Sequence, residues 1–253
     1  MNSSSTIARA IGSVQDFDEV VVVDGGSTDG TREIASSYPN VRLFENPFPG
    51  FPEQRNFGLG KVLSRWCLVL DSDEAVTSEL KEELRRIAGD DESAPLYYVM
   101  RTEYFMGQVM EKGYMRSLYL PRFFRTKGVS YRGRVHESPF VKGVRPDRED
   151  ERWGKVDSRL RILHDPANNL RREVGKIGLY STLKAEERIA AGETISAPVI
   201  LLSSARTFLK IYAMEWRKGR RGFIRTLLVV CHRALANLLV YGERVDEKEK
   251  DSG

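Results

Sequence analysis

Val20-Val21-Val22-Val23-Asp24-Gly25-Gly26-Ser27 runs four apolar residues into an acid and two glycines, and Trp66-Cys67-Leu68-Val69-Leu70-Asp71-Ser72-Asp73-Glu74 repeats the pattern further on. Short unbroken apolar runs of this kind form strands buried on both faces, as in parallel sheets. In open α/β sheets a ligand sits beyond the carboxyl ends of the strands. Two such ends carrying Asp and Gly describe a site for a phosphorylated ligand and its divalent cation.

The flanking sequence alternates in the same way. Residues 6–14 read as a short helix, 19–24 as a strand, 31–37 as a helix, 41–44 as a strand and 54–63 as a helix leading into the strand 66–70. A helix over 78–88 follows, with Leu80, Leu84 and Ile87 on one face, Thr77 as cap and Gly89 at its end. This cadence predicts an α/β fold with a mixed, mainly parallel sheet flanked by helices. After Pro95 the pattern changes to strands over 96–105, 117–125 and 129–135, an α+β half. From Asn168 the chain is mostly helical, with Pro198 separating two helical stretches.

Composition fits a folded protein. With 253 residues, 41% apolar and 30% charged, the chain can bury one good core and a small appendage, and disorder is not the default. Two cysteines, Cys67 and Cys231, exclude a disulfide framework and fit a reducing compartment. The opening Met1-Asn2-Ser3-Ser4-Ser5-Thr6 lacks the charged and apolar regions of a signal peptide. Net charge is +4, unevenly placed: between Ser203 and Arg225 seven basic residues face Glu215 alone, so that segment carries +6 and the remainder −2.

Each motif has a plain structural reading beside the functional one. Gly25, Gly26 and Gly30 let the backbone turn sharply and approach a ligand, while Asp24 can accept hydrogen bonds from a ribose or base. The same residues also suit a strand-to-helix turn capped by Ser27 or Asp29. Asp71 and Asp73, one residue apart on an extended segment, aim both carboxylates to one side. Hard oxygen ligands suit Mg²⁺ or Mn²⁺, which would neutralise a diphosphate leaving group. A bare pair of this spacing is also common on solvated turns, and Asp71 could alternatively serve as the nucleophile of a phosphotransferase. His232, among Leu and Val in a late helix, reads as structural.

Taken together these residues resemble the family 2 glycosyltransferases with the GT-A, Rossmann-like fold. Gln54-Arg55-Asn56-Phe57, Leu70-Asp71-Ser72-Asp73-Glu74, Arg122-Phe123-Phe124-Arg125 and Arg134-Val135-His136-Glu137 are similar to the branch that builds the lipopolysaccharide inner core, over roughly Asn2 to His164. The resemblance implies transfer of a sugar from a UDP- or ADP-sugar to a lipid-linked or lipopolysaccharide-core saccharide. Asp24, Gly26, Ser27, Arg55, Asp71 and Arg122 would then bind the nucleotide sugar. Asp73 would hold the metal, with His164 as its second ligand, and Glu137 would be the acceptor-side base. Inverting transfer needs one such base and no covalent nucleophile. Without the family context Glu137 reads as part of an exposed turn before Pro139, and His164 as a core or strand-end histidine.

Two departures qualify this. Many family members carry two adjacent acids where this chain has Asp24-Gly25. The family also begins with a central strand ending in an Asn-Glu-like turn, whereas this sequence opens at that turn. The expected organisation is therefore a catalytic domain at 1–167 lacking its first strand, a helical extension at 168–245, and a disordered tail at 246–253. In the extension, Phe208, Leu209, Ile211, Tyr212 and Trp216 share a segment with the basic residues, and Arg225, His232, Arg233 and Asn237 break any long apolar run. A basic amphipathic pair lying on an anionic membrane is expected, peripheral on the cytoplasmic face of the inner membrane. A helical hairpin packed on the core or on a second subunit is the alternative. No motif supports nucleic-acid binding. A truncated chain retaining only membrane or partner association is the non-enzymatic reading.

Overall fold

The computed structural model describes residues 1–109, 118–133, 137–164 and 170–250. Two compact units divide the chain: Met1–Glu111 with Arg116–Ala167, and a second built on Asn168–Gly253.

The first unit opens with helix α1 (Ile7–Gly12), strand β1 (Val20–Asp24), α2 (Thr31–Ser36), β2 (Val41–Glu45), α3 (Phe51–Leu59) and β3 (Trp66–Leu68). It continues with β4 (Glu74–Val76), α4 (Ser78–Gly89), β5 (Leu96–Phe105), β6 (Gln108–Val109), β7 (Leu118–Arg125) and β8 (Val129–Arg132). β9 (Ser138–Val141), β10 (Gly154–Lys155) and β11 (Arg161–His164) complete it. The main sheet has the order β3-β7-β5-β11-β4, with β6 and β10 also on β5; β1 pairs with β2, and β8 with β9.

The fold is α/β with a mixed sheet, as the sequence implies. Its parallel share is smaller than expected: β1–β2, β5–β11 and β5–β10 are parallel, and the other described pairs are antiparallel. The reason is connectivity. Two residues separate β5 from β6 and five separate β8 from β9, and such short returns cannot join parallel neighbours. Pro121, which has no N–H for a ladder, lies at the register shift opposite Tyr97 and Tyr98.

Side chains alternate across β7, so that Phe123 faces one core and Phe124 another. On the first side Leu80, Leu84 and Ile87 of α4 pack against Val99, Phe123 and Ile162. Thr77 caps α4 by accepting from the Leu80 amide at 3.3 Å, as its position before Ser78 predicts. The second core joins Leu96, Tyr98, Phe124, Tyr131 and Trp153. α3 begins at Phe51 and ends at Leu59, displaced from the expected 54–63, because Pro52 occupies its first turn.

β1 pairs only with β2, and β3 only with β7, among the described residues. Both line one cavity of about 820 Å³, walled by Val20–Val23, Trp66–Leu70, Ile7 and Ile11. Met1 stands at its carboxyl-terminal mouth, where an added Cβ on Gly25 would meet the Met1 side chain at 3.1 Å. An extended apolar segment fused ahead of Met1 would run parallel to β1 and pair both edges. At about 1 kcal/mol per hydrogen bond formed, such a fusion is expected to raise Tm by about 5 °C or more in thermal unfolding. No gain would mean that the cavity walls close on each other in solution.

Among the described residues the second unit has three α-helices, α5 (Leu170–Ala190), α6 (Ala197–Glu215) and α7 (Gly219–Lys250), with a 3-10 turn at Trp216–Lys218. Pro198 lies in the first turn of α6. Asn237 donates to Ser203 at 3.2 Å while Phe223 meets Phe208 and Tyr212, so α6 and α7 run antiparallel. Ser181 on α5 bonds the His232 ring at 2.9 Å. Gly222 lets α7 pass close over the preceding turn, since a Cβ there would collide with the Glu215 carbonyl oxygen. Two expectations are corrected. α7 continues to Lys250 through most of the stretch expected as a disordered tail, because its Glu and Lys residues favour helix. The stretch Ala197–Glu243 also contains a window long and apolar enough, by length and composition, to cross a membrane, 28% of it buried.

Candidate active site

Beyond β3 the chain folds back on itself: the Glu74 amide donates to the Asp71 carbonyl at 2.9 Å, and the Asp71 amide donates to Glu74 Oε2 at 2.8 Å. This turn fixes the Asp71 carboxylate between two guanidinium groups. Arg55 of α3 donates to Oδ1 at 2.8 Å and Arg122 of β7 to Oδ2 at 2.9 Å. Burial works against ionisation here, but Arg122 and Arg55 hold the Asp71 carboxyl far below the usual carboxylate range. Arg122 also donates to Glu74 Oε1 at 3.0 Å, and Glu74 is fully buried. Burial, with the nearby Asp71 charge, pushes Glu74 above the carboxylate range.

Arg55 reaches in a second direction. Its Nε donates to Glu137 Oε1, 82 residues away in sequence, at 3.1 Å, so one guanidinium joins Glu137 to Asp71. Its Cζ stands 5.4 Å from the Tyr131 ring centroid, which helps to hold the side chain in place. Asn56, one residue on, brackets the Tyr131 backbone, accepting from its amide at 2.7 Å and donating to its carbonyl at 2.9 Å. Glu137 is thereby seated from the α3 side, immediately ahead of β9.

A second cluster forms where β11 lies between β4 and β5. The register sets His164 opposite Glu74 on one side and Glu103 on the other. His164 Nδ1 bonds Glu103 Oε2 at 2.7 Å, and its Nε2 stands 3.5 Å from Asp73 Oδ1. Burial opposes a charged ring, but Asp73 and Glu103 together raise His164 to about 9. Arg101, two residues before Glu103 and on the same face of β5, pairs with both Glu103 and Glu74. Asp73 is tied down through its carbonyl, which accepts from Arg9 at 2.8 Å.

Asp73 and His164 are the residues expected to hold a metal. No three His, Cys, Asp or Glu side chains cluster for this purpose among the described residues. The pair nevertheless fits a cation completed by its substrate. A carboxylate oxygen and an imidazole nitrogen 3.5 Å apart can share one ion, and Mg²⁺ is commonly held by one or two carboxylates plus phosphate oxygens. Such binding would displace the His164 proton.

The turn after β1 is self-contained. Asp24, buried, accepts from the Gly26 and Ser27 amides at 3.0 and 2.8 Å and from the Ser27 hydroxyl. Burial would raise it, but these donors hold its carboxyl below the usual range. Gly26 has φ of 100°, a conformation that favours glycine. Asn2 and Ser3 stitch this turn to the next: Asn2 donates to Ser27 Oγ at 2.9 Å, Ser3 donates to Thr31 Oγ1 at 2.8 Å, and the Ser3 and Ser72 hydroxyls meet at 2.8 Å. Asp24, Arg55, Asp71 and Ser72 border the cavity between β1 and β3, whereas Asp73, Glu137 and His164 stand outside its lining.

The structure therefore brings Arg55, Asp71, Arg122 and Glu137 into one network and Asp73 and His164 into contact. Asp24, Gly26 and Ser27 form a neighbouring turn linked through Ser3. Arg134 and His136, of the stretch ending in Glu137, lie outside the described residues. Sequence reading missed Ser3, Arg101 and Glu103. A signal for the last two was present, since Arg101 and Glu103 are alternate charges in an otherwise apolar strand.

A family model described as Glycosyl transferase family 2 matches residues 1–153. The lipopolysaccharide core biosynthesis glycosyltransferase LpsC of Rhizobium meliloti is 27% identical over 256 residues, covering 95% of this chain and 89% of that protein. An uncharacterized glycosyltransferase of Rickettsia prowazekii is 25% identical over 240 residues, covering 92% and 82%. Among solved structures, S. aureus TarS 1–349 in complex with UDP-GlcNAc is 14% identical, covers 94% of this chain and 81% of that one, and has a TM-score of 0.48.

Proposed function

Because the chain belongs to glycosyl transferase family 2, we propose that it moves a sugar, with inversion, from a UDP- or ADP-sugar to a saccharide of the lipopolysaccharide core or of a lipid-linked precursor. The acceptor class follows LpsC, whose name places it in lipopolysaccharide core biosynthesis. The observation that carries the reading is the shared guanidinium: Arg55 holds Asp71 at 2.8 Å and Glu137 at 3.1 Å. In this reading one guanidinium sets the distance between the acceptor-side base and the turn that would receive the donor.

In this reading Asp24, Gly26 and Ser27 present backbone and hydroxyl groups to the nucleoside. Asp71 is oriented by Arg55 and Arg122 toward the ribose or diphosphate. Arg122, 7% exposed, acts on the ligand through Asp71. Glu137 takes the proton of the acceptor hydroxyl as that oxygen attacks the anomeric carbon; the bond to the diphosphate breaks and the nucleotide leaves. Asp73 and His164 would hold Mg²⁺ or Mn²⁺, which neutralises charge on a departing diphosphate. Glu103 fixes the orientation of His164 by holding Nδ1. The alternative chemistry, Asp71 as a phosphotransferase nucleophile, fits less well, because each of its oxygens is already engaged by a guanidinium.

The test is nucleotide release from a UDP- or ADP-sugar in the presence of Mn²⁺ or Mg²⁺ and a core-type acceptor. Loss of a group worth several kcal/mol of charge stabilisation predicts that Asp73→Ala lowers turnover about 100-fold or more. Turnover unchanged by that substitution would remove the reading.

A further inference from the structure

α6 buries one side and leaves the other uncovered. Ile200, Thr207, Ile211 and Glu215 are buried, and their spacing places them on one face of the helix. On the opposite face Leu202, Ala205, Leu209 and Tyr212, continued by Trp216 at the start of the 3-10 turn, follow three- and four-residue steps and are exposed, Tyr212 least because it also meets Phe208 and Phe223. Leu202 is 70%, Leu209 69% and Trp216 56% exposed. A soluble helix normally turns such a face inward, and a contiguous uncovered apolar stripe marks an interaction surface.

Charge says what covers it. Arg206 and Lys210, both exposed, flank the stripe, and Arg217, Arg220 and Arg221 are exposed around the turn into α7. Glu215 is the one acid between Ala197 and Gly222; it is fully buried and paired with Lys218 at 2.8 Å. The uncovered face therefore presents apolar side chains and cations with no exposed acid. Trp216 lies at the end of the stripe, where an amphipathic ring suits the boundary between acyl chains and headgroups. A protein partner of this chemistry would need a long acidic apolar groove; a bilayer with anionic headgroups offers both components along any line.

We propose that the Leu202–Trp216 face of α6 lies in the plane of an anionic bilayer, its leucines among the acyl chains and its basic residues at the phosphates. This surface belongs to the helical unit and does not depend on the transfer reaction. Each Lys or Arg at such a surface strengthens binding by up to about fivefold.

The test is co-sedimentation of the whole chain with vesicles of phosphatidylcholine alone and with added phosphatidylglycerol. The chain is expected to partition onto the anionic vesicles and to be released by salt. Leu202→Glu with Leu209→Glu is expected to weaken partition by about tenfold or more, with helix content unchanged because both positions are exposed. Arg206→Gln with Lys210→Gln is expected to reduce binding to anionic vesicles by up to about 25-fold and to diminish the preference for them. Equal partition of the glutamate variant and the unmodified chain would overturn the proposal. So would equal binding of the unmodified chain to both vesicle types. A dimer that dissociates on Leu209→Glu, with no vesicle binding, would assign the face to a second copy of the chain instead.

Discussion

Glu137→Gln is expected to lower kcat by about 10²- to 10⁴-fold, the usual contribution of a positioned general base, while leaving KM for the donor little changed. Glutamine keeps the shape of the side chain and an oxygen for the 3.1 Å bond from Arg55. What it loses is the capacity to take a proton from the acceptor hydroxyl. In the proposed reading the donor binds on the other side of that guanidinium, through Asp71, which Arg55 holds at 2.8 Å, so binding and chemistry should separate in this variant. Steady-state kinetics with varied donor checks both halves. A large rise in donor KM with kcat preserved would make Glu137 a binding residue and leave the base unassigned.

Arg122→Met is expected to have the largest effect on stability. It leaves fully buried Glu74 and half-exposed Asp71 without the cation that contacts both at about 3 Å. Breaking a buried pair in this way costs about 3–5 kcal/mol, which should lower Tm by about 10 °C or more. The pH dependence has a definite sign. Glu74 binds its proton more tightly folded than unfolded, since burial raises it, and loss of Arg122 accentuates this. Stability of the variant should therefore fall as pH rises above the unfolded carboxylate value and recover toward about pH 4. Adding Glu74→Gln removes the buried charge and should restore part of the loss. Thermal unfolding of both variants from acid to neutral pH measures this; a deficit independent of pH and of Glu74 would point to lost packing alone.

Where local chemistry dictates structure, the sequence was a reliable guide. β1 and β5 fall where apolar patterning places them, and α4 has the cap and face read from Thr77, Leu80, Leu84 and Ile87. β4, β9 and β11 escaped because each has three or four residues and exists through its pairing, which no short window records. The same limit applies to the site. Asp71 and Asp73 announce themselves at the end of an apolar run. By contrast, the union of Arg55 with Glu137 depends on α3 and the segment before β9 meeting in space. Glu103 shows in sequence only as a charge within a strand, and its role comes from β11 setting His164 beside it. Glu137 and His164 were reached through family resemblance, since their local sequence equally describes a polar turn and a strand end.

The most direct test of the account is the affinity for UDP and ADP, measured by calorimetry with and without Mn²⁺, for the chain and for Asp73→Ala. If Asp73 and His164 hold a cation against the donor diphosphate, Mn²⁺ should strengthen nucleotide binding by about tenfold, or 1.4 kcal/mol, and Asp73→Ala should abolish that gain. An equal Mn²⁺ effect in both proteins, or none in the unmodified chain, would contradict it.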